Sequence, residues 1–305
     1  SIALLDILTR FDDRLALVVG HFNHHLRGAA SDEDAAFVQA AAAARGLPFH
    51  LGHQDVAAAA ALARQSVEVA AREARHAFLA RTALTEKATW IATAHHADDQ
   101  AETVLLRLLR GTGTLGLRGI ALLSPMPGRP GLRLWRPLLL APRAEIAAYC
   151  AERALPFRED ASNRDTHMLR NRVRHELIPY LETYNPGIRK VLARLADNAA
   201  ADAEIVEAAA RAAVDSLRKT GGAYDRDLFR ALGPGLRRAV LRLACADARG
   251  DGTDLRATGI EEAVDALDGP AEHADIAVAP GTRIQVAGGL FLVIASRESG
   301  PSFAG

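Results

Sequence analysis

Cysteine is scarce in this sequence of 305 residues, which holds only Cys150 and Cys245. The two lie far apart and outside any Cys-x-x-Cys pattern, which argues against a disulfide framework, a zinc site or an iron–sulfur cluster. Long apolar runs free of charge are also lacking, so the sequence predicts neither a membrane span nor a signal peptide. We therefore expect a protein of a reducing, cytoplasmic setting without a membrane partner.

The overall charge carries no signal either. The formal net charge is zero, so it does not point to nucleic acid or membrane. Lysine occurs at only three positions, and arginine supplies nearly all of the basic groups. The codon bias of a GC-rich genome, which favours both alanine and arginine, explains this bulk composition. The length and an apolar content of 49% predict two domains with a substantial core.

Apolar runs alternate with helical patterns through the first half of the sequence. Buried strands are predicted at 14–22, 47–53 and 88–94. Helices are predicted at 2–11, 31–46, 66–86, 98–110 and 143–154. This alternation predicts an α/β fold in which a parallel sheet carries helices on both faces. Ligands of such sheets bind at the carboxyl ends of the strands.

The pattern changes after about residue 164. Residues 165–215 read as almost continuous helix and predict a helical linker. Two further helices, at 227–249 and 258–268, precede a hairpin pattern around Gly288-Gly289. We therefore expect three parts: an α/β domain at 1–164, the linker, and a smaller, mostly helical C-terminal domain at 216–305.

The densest group of ionisable residues is HHADDQAET, directly after the third predicted strand. At helical spacing Asp98 and Glu102 share one face of the following helix, and His95 falls in the turn before it. Acids are favoured at helix N-termini, which explains one or two of these carboxylates but not the whole group. We predict a cation-binding or proton-handling site with His95, Asp98, Asp99 and Glu102 as catalytic candidates, in which Asp98 and Asp99 are candidate metal ligands.

Basic residues without acidic neighbours follow this group. The segment 103–144 contains seven arginines and no Asp or Glu. Codon bias supplies arginine but does not remove acids, so we expect this segment to meet phosphates. Within it, Arg110, Gly111 and Gly113 form an Arg-Gly-Thr-Gly turn whose backbone amides suit an anion. A Pro/Gly-rich stretch, SPMPGRPGLR, is predicted to be a loop that contacts RNA.

A third group lies in EDASNRDTHMLRNRVRHELIPYLE, residues 159–182. Arg170, Arg172 and Arg174 stand at spacings that cannot all share one helical face. Some should therefore point inward, to a ligand or an acid, and others outward. Pairing within the helix, to Glu176 for example, is an alternative that suits Arg172 better than Arg170.

Together these segments resemble the tRNA(Ile)-lysidine synthase family, a branch of the N-type ATP pyrophosphatases of the PP-loop superfamily. Five segments come in the order and at the approximate spacing of this family: FNHHLRGAASDEDAAFV, EVAAREARHAFL, TAHHADDQAETVLLRLLRGTGTLGLRGI, LWRPLL and the third group. The resemblance implies an adenine nucleotide α-hydrolase-like fold. It also implies an enzyme that uses ATP and Mg²⁺ to adenylate the C2 oxygen of the wobble cytidine, position 34, in tRNA(Ile) with a CAU anticodon. Free L-lysine then displaces AMP through its ε-amine, which yields lysidine.

The resemblance assigns the remaining candidates to two groups. The candidate ATP-binding residues are Ser1, Arg110, Gly111, Gly113 and Arg170. The candidate tRNA-binding residues are Arg129, Arg133, Arg172 and Arg174, with 216–305 as a tRNA-binding domain.

One departure concerns the family's phosphate loop, Ser-Gly-Gly-x-Asp-Ser, of which only the final serine is present, as Ser1. We expect the first strand and this loop to be missing from the domain at 1–164, and the C-terminal end to be a short form or a truncation. Three alternative functions stay open: another PP-loop tRNA-modifying enzyme, a metal-dependent phosphohydrolase built on His95, Asp98 and Asp99, and an inactive tRNA-binding remnant.

Overall fold

A computed structural model describes residues 1–11, 14–158, 168–250, 255 and 257–295. The first nine residues of the third group, 159–167, lie outside the described residues. The chain divides into two compact units, Ser1–Leu106 with Ile120–Ala193, and Arg107–Gly119 with Arg194–Gly305. The last of these divisions falls within the predicted helical linker.

The first part of the chain alternates helices and strands, as predicted. In chain order the elements are α1 (Ile2–Thr9), β1 (Val19–Asn23), α2 (Ala29–Ala43), β2 (Phe49–His53), α3 (Val56–Ala63), α4 (Val67–Thr85), β3 (Trp90–Ala92), α5 (Ala97–Leu109), α6 (Thr114–Leu117), β4 (Leu123–Met126), β5 (Arg129–Trp135), α7 (Arg143–Glu152), α8 (Leu169–Arg172) and α9 (Ile178–Tyr184). A π-helical turn, Val173–Leu177, joins α8 to α9.

The strands of the first unit form two sheets. Strands β1 and β2 pair in parallel, as do β3 and β5, whereas β4 pairs with β5 in antiparallel fashion. Helix α4 packs against both parallel pairs, and its Phe78 lies so close to Gly52 of β2 that a Cβ there would clash with the ring. Helices α1 and α7 pack around Leu138 and Trp135, on the other side of β5. The predicted α/β class, with helices on both faces, is confirmed.

The segment SPMPGRPGLR is a β-hairpin and not the predicted loop. Gly128, at φ +65°, forms the turn between β4 and β5. Met126, Leu132 and Leu134 point to one face, where they are buried against α4. The prediction was wrong because the prolines and glycines concealed a period of two in the apolar residues, and that period is typical of a strand with one buried face.

The C-terminal part of the chain combines helices with an antiparallel sheet. The remaining elements are α10 (Ile188–Leu217), β6 (Tyr224–Asp225), α11 (Arg226–Ala231), α12 (Pro234–Arg249), α13 (Ala257–Asp268), β7 (His273–Ala279), β8 (Thr282–Ala287) and β9 (Leu290–Ala295). The predicted hairpin is β8–β9, and β6 and β7 extend it to four strands in the order β6-β9-β8-β7. The description "mostly helical" therefore understated the sheet, because HADIAVA alternates too weakly to stand out as β7.

The core of this unit forms between the sheet and α12 and α13. Phe229, Phe291, Ile284 and Leu241 are fully buried in it. Gly259 of α13 lies directly against the backbone of Val278, where any side chain would clash. Among the described residues, no helix combines the length and apolar character needed to cross a membrane.

Candidate functional site

The turn after β3 presents the ionisable group at the carboxyl end of the strand, as predicted. Thr93 Oγ1 lies 2.9 Å from Nδ1 of His95. The amide of His96 donates to Asp99 Oδ2 (3.0 Å), and the amide of Asp99 donates to His96 Nδ1 (3.4 Å). This reciprocal arrangement satisfies amides at the start of α5 in the manner of a capping box. It also fixes the side chain of Asp99 at the edge of the sheet.

Glu102, one turn further along α5, is buried completely and bound by two arginines. Arg174 donates from Nε to Oε1 (2.6 Å) and from Nη2 to Oε2 (3.0 Å). Arg170 donates from Nε to Glu102 Oε2 (2.9 Å) and from Nη2 to Asp99 Oδ1 (2.8 Å). Two carboxylates and two guanidiniums thus balance their charges here. We call Asp99, Glu102, Arg170 and Arg174 the α5 cluster.

The three arginines of the third group separate as predicted into inward and outward residues. Arg170 and Arg174 are four positions apart and reach the α5 cluster from one side of the helix. Arg172 is more than half exposed and lies 3.5 Å from Glu176. The assignment of Arg174 to an RNA-facing surface does not fit this geometry, because its guanidinium is largely buried on Glu102.

Asp98 has partners of its own. Its Oδ1 accepts from the backbone amide of Arg143 (3.0 Å) at the start of α7, and its Oδ2 accepts from Arg189 Nη1 (2.8 Å). Arg189 also donates from Nε to Glu182 (2.7 Å). Asp98 therefore connects α5 to α7 and to the start of α10, although Asp98 and Glu102 were expected to act together.

This geometry does not fit a magnesium ion shared by Asp98 and Asp99. The oxygens of Asp98 accept from Arg143 and Arg189, and those of Asp99 accept from Arg170 and the His96 amide. Within the described ranges, no group of three or more His, Cys, Asp and Glu side chains could hold a metal ion. The charge that the two aspartates were expected to share with a cation is neutralised by arginine.

His95 lies in a positively charged recess. Burial lowers its pKa to about 4; the charge of Asp99 opposes this shift, and those of Arg136, Arg170 and Arg75 add to it. His95 is therefore neutral at pH 7. Burial, with the charges of Arg75, Arg72 and Arg136, likewise lowers the pKa of His76 to about 4. The Nε atom of Arg136 is buried and has no hydrogen-bond partner among the residues that the structure describes.

Arg75, Arg136 and Arg189 are the functional candidates that the sequence reasoning missed. The first two belong to EVAAREARHAFL and LWRPLL, motifs that carried the resemblance without a role for these residues. That membership is the signal that could have identified them. No comparable signal marks Arg189.

Two sets of predicted ATP-binding residues lie in different places. Ser1 is the N-cap residue of α1, and its electrostatic interaction with Asp99 places it near the α5 cluster. Arg110, Gly111 and Gly113 follow the last residue of α5 and belong to the second compact unit. Their part in binding ATP stays a prediction.

Arg129 and Arg133 are exposed on β5. The Arg133 guanidinium lies over the Trp90 ring, 5.6 Å from its centroid. Since α4 covers the face that holds Leu132 and Leu134, Arg133 lies on the opposite face of β5, where its side chain is exposed. An RNA contact by Arg129 and Arg133 stays a prediction.

Comparison with known proteins agrees with this arrangement. Residues 1–181 match the family model described as a PP-loop domain. The chain belongs to the PP-loop domain family. The α5 cluster and the turn after β3 lie within the PP-loop domain, as do α8 and α9 up to residue 181.

Curated relatives of this PP-loop protein are named tRNA(Ile)-lysidine synthase. The chain is 47% identical to the enzyme of Geobacter sulfurreducens over 82% of its own length and 53% of the relative's. It is 37% identical to the enzyme of Dehalococcoides mccartyi over 89% of its own length and 59% of the relative's. The chain thus spans about half the length of the relatives it matches. Among solved structures, the U34-tRNA thiolase NcsA from Methanococcus maripaludis shares the fold, with a TM-score of 0.52, 17% identity, and coverage of 65% of this chain and 68% of that one.

Proposed function

We propose that this protein acts as a tRNA(Ile)-lysidine synthase. It would use ATP to join free L-lysine to C2 of the wobble cytidine, position 34, of tRNA(Ile) with a CAU anticodon. The observation that carries the proposal is the α5 cluster at the carboxyl end of β3, in a chain 47% identical to a protein of that name. The cluster combines fixed carboxylates and guanidiniums, the groups that a reaction between an anionic nucleotide and a cationic amine requires.

The first step is adenylation of the base. The C2 oxygen of cytidine attacks the α-phosphorus of ATP, and pyrophosphate leaves. A carbonyl oxygen is a poor leaving group, so this step prepares it for displacement. Arg170 retains an exposed part of its side chain, and Arg75 and Arg136 lie in the same recess, so positive charge is available where phosphate charge develops. Ser1, at the start of α1, lies where helix amides favour an anion.

The second step is displacement by lysine. The ε-amine attacks C2, the C2–O bond to the adenylate breaks, and AMP leaves while the amine loses a proton. The carboxylate of Asp99, which Arg170 and the His96 amide hold at the edge of the sheet, is our candidate for contacting the lysine α-ammonium. The Nδ1 atom of His95 is engaged by Thr93, and the ring is neutral at pH 7 because its pKa is about 4; its Nε2 is our candidate for the proton acceptor.

Mg²⁺ enters this proposal as the counter-ion of the ATP phosphates, since oxygens of Asp98 and Asp99 already accept from arginines. The setting that we propose is the cytoplasm. Sulfur transfer is a weaker candidate, because Cys150 and Cys245 are both buried and are the only cysteines.

The test is incubation of the protein with ATP, the tRNA and labelled lysine. We expect label in the tRNA together with AMP and pyrophosphate, all dependent on tRNA and lysine. Phosphate release that needs no lysine would identify a phosphohydrolase. Tight tRNA binding without label incorporation would identify a binding remnant.

A further inference from the structure

Two exposed tyrosines lie side by side on α9. Tyr180 and Tyr184 are 58% and 73% exposed, although tyrosine occurs only four times in the whole sequence. Their hydroxyl oxygens are 2.8 Å apart, and the ring centroids are 5.3 Å apart with the planes at 70°. Aromatic rings normally lie buried in cores or interfaces, so a paired, exposed set indicates a binding surface.

The two rings contact each other. Their hydroxyl groups share a hydrogen bond, and the edge-to-face packing leaves ring surface open to solvent. Ile178 and Val173, on the same helical segment, are buried and anchor it to the first unit. An aromatic pair at this spacing stabilises a helix only slightly, which by itself is a weak reason to expose two tyrosines.

The charge around the pair favours an anionic partner. The segment 169–190 carries five basic side chains, at 170, 172, 174, 189 and 190, against two acidic ones, at 176 and 182. Both acids already lie against arginines, Glu176 against Arg172 and Glu182 against Arg189. Lys190 is exposed. The four arginines lie against carboxylates, so exposed Lys190 is the basic side chain that can offer its charge to a partner beside the rings. Aromatic rings combined with a basic side chain are the means by which proteins bind unpaired bases of single-stranded nucleic acid.

The pair lies along the same helical segment as the α5 cluster. Tyr180 follows Arg174 by six residues and Tyr184 by ten, or about 9 and 15 Å of helix rise. A nucleotide adjacent to the one that reacts at the α5 cluster could therefore contact the tyrosine pair.

We propose that Tyr180 and Tyr184 form a stacking platform for an unpaired base of the anticodon loop, adjacent to the reacting cytidine. The inference rests on the proposed function for the identity of the RNA, and on the tyrosine pair for the mode of binding. RNA recognition commonly stacks splayed loop bases on aromatic side chains.

Fluorescence anisotropy with the full chain tests the platform. One probe is an anticodon stem-loop RNA and the other is a duplex of the same stem without the loop. Tyr184→Ala and Tyr180→Ala should each weaken stem-loop binding about tenfold and leave duplex binding unchanged. Tyr184→Phe, which keeps the ring, should bind within about twofold of the unsubstituted chain. Phe157→Ala is the matched control, since Phe157 is an aromatic residue exposed to a similar extent, 57%, in the segment that follows α7.

The salt dependence separates stacking from phosphate contacts. Each Tyr→Ala variant should keep the slope of log K against log salt, because no charge has been removed. Unchanged affinity of both Tyr→Ala variants, or equal loss on duplex and stem-loop, would overturn the platform. Lysine incorporation is measured separately: if the unsubstituted chain incorporates lysine while both variants bind normally, the platform fails and the proposed function stands. If the variants lose affinity for the stem-loop alone and the unsubstituted chain incorporates no lysine, the platform stands and the proposed function fails.

Discussion

Arg174 and Glu102 form a two-bond ion pair in which the carboxylate is wholly buried, with Nε–Oε1 and Nη2–Oε2 distances of 2.6 and 3.0 Å. Glu102 also accepts from Arg170, so both of its oxygens are occupied by guanidinium donors. The buried charge of Glu102 requires these guanidinium partners. The pair therefore contributes to the stability of the fold as well as to the candidate site.

We expect Glu102→Gln to lower the free energy of unfolding by about 3–5 kcal/mol, because it leaves two guanidiniums without their common counter-charge. Urea unfolding followed by circular dichroism measures this. Glu176→Gln is the control, since Glu176 faces Arg172 with both side chains more than half exposed, and it should cost less than about 1 kcal/mol. Equal small losses in both variants would mean that the buried pair contributes no more than a surface pair.

Asp98 should behave as a positioning residue that connects helices. Asp98→Asn keeps an oxygen for the Arg143 amide but loses the ion pair with Arg189, so turnover should fall less than in Asp99→Asn. A double-mutant cycle of Asp98→Asn with Arg189→Met should give a coupling energy of about 0.5–3 kcal/mol in unfolding experiments. Additive effects would show that the two side chains do not act together.

Acid should destabilise the protein through His95 and His76. Their pKa values of about 4 in the folded chain lie below the ordinary 6.5, so the unfolded chain binds protons first as the pH falls. This contribution is complete above about pH 6.5 and is lost as the pH falls towards 4. Melting temperatures between pH 7 and 4 should decline less steeply in His95→Gln and His76→Gln. Slopes that stay unchanged in both variants would exclude this cause.

The exposed arginines of β5 should act on RNA affinity and not on chemistry. Arg129→Ala and Arg133→Ala should each weaken tRNA binding and reduce the magnitude of its salt slope, by about 0.9 for a duplex phosphate and about 0.7 for a single strand. Single-turnover AMP formation at saturating tRNA should be unchanged. Arg81→Ala is the control, because Arg81 is exposed on α4, which covers the other face of this sheet. A control that loses as much affinity would indicate a diffuse charge effect.

Arg170 should show the opposite behaviour. Arg170→Ala removes a guanidinium that contacts both Asp99 and Glu102, so we expect the single-turnover rate of AMP formation to fall at least tenfold at saturating tRNA. Its effect on the salt slope should be small. Thermal melting distinguishes loss of chemistry from loss of fold, and Arg172→Ala, whose side chain points outward, provides the matched variant.

The sequence by itself determined the class of fold and the location of the candidate site. Apolar runs indicate which segments are buried, and helical periodicity indicates which side chains share a face. These two signals predicted the alternation of strands and helices and the position of HHADDQAET after β3. They also predicted that Arg170 and Arg172 point in different directions. The PP-loop family was also recognisable from the sequence, because its motifs keep their order along the chain.

Only the tertiary structure decided which charged groups meet. Arg174 and Glu102 are 72 residues apart, and Arg189 and Asp98 are 91 apart. A periodic pattern assigns a side chain to a face but does not identify the group on the opposite element. Asp98 and Glu102 could therefore be placed near each other on α5, yet their different arginine partners depended on how α7, α8 and α10 pack. The hairpin β4–β5 was hidden in the same way, since its strands are defined by pairing with each other and burial against α4.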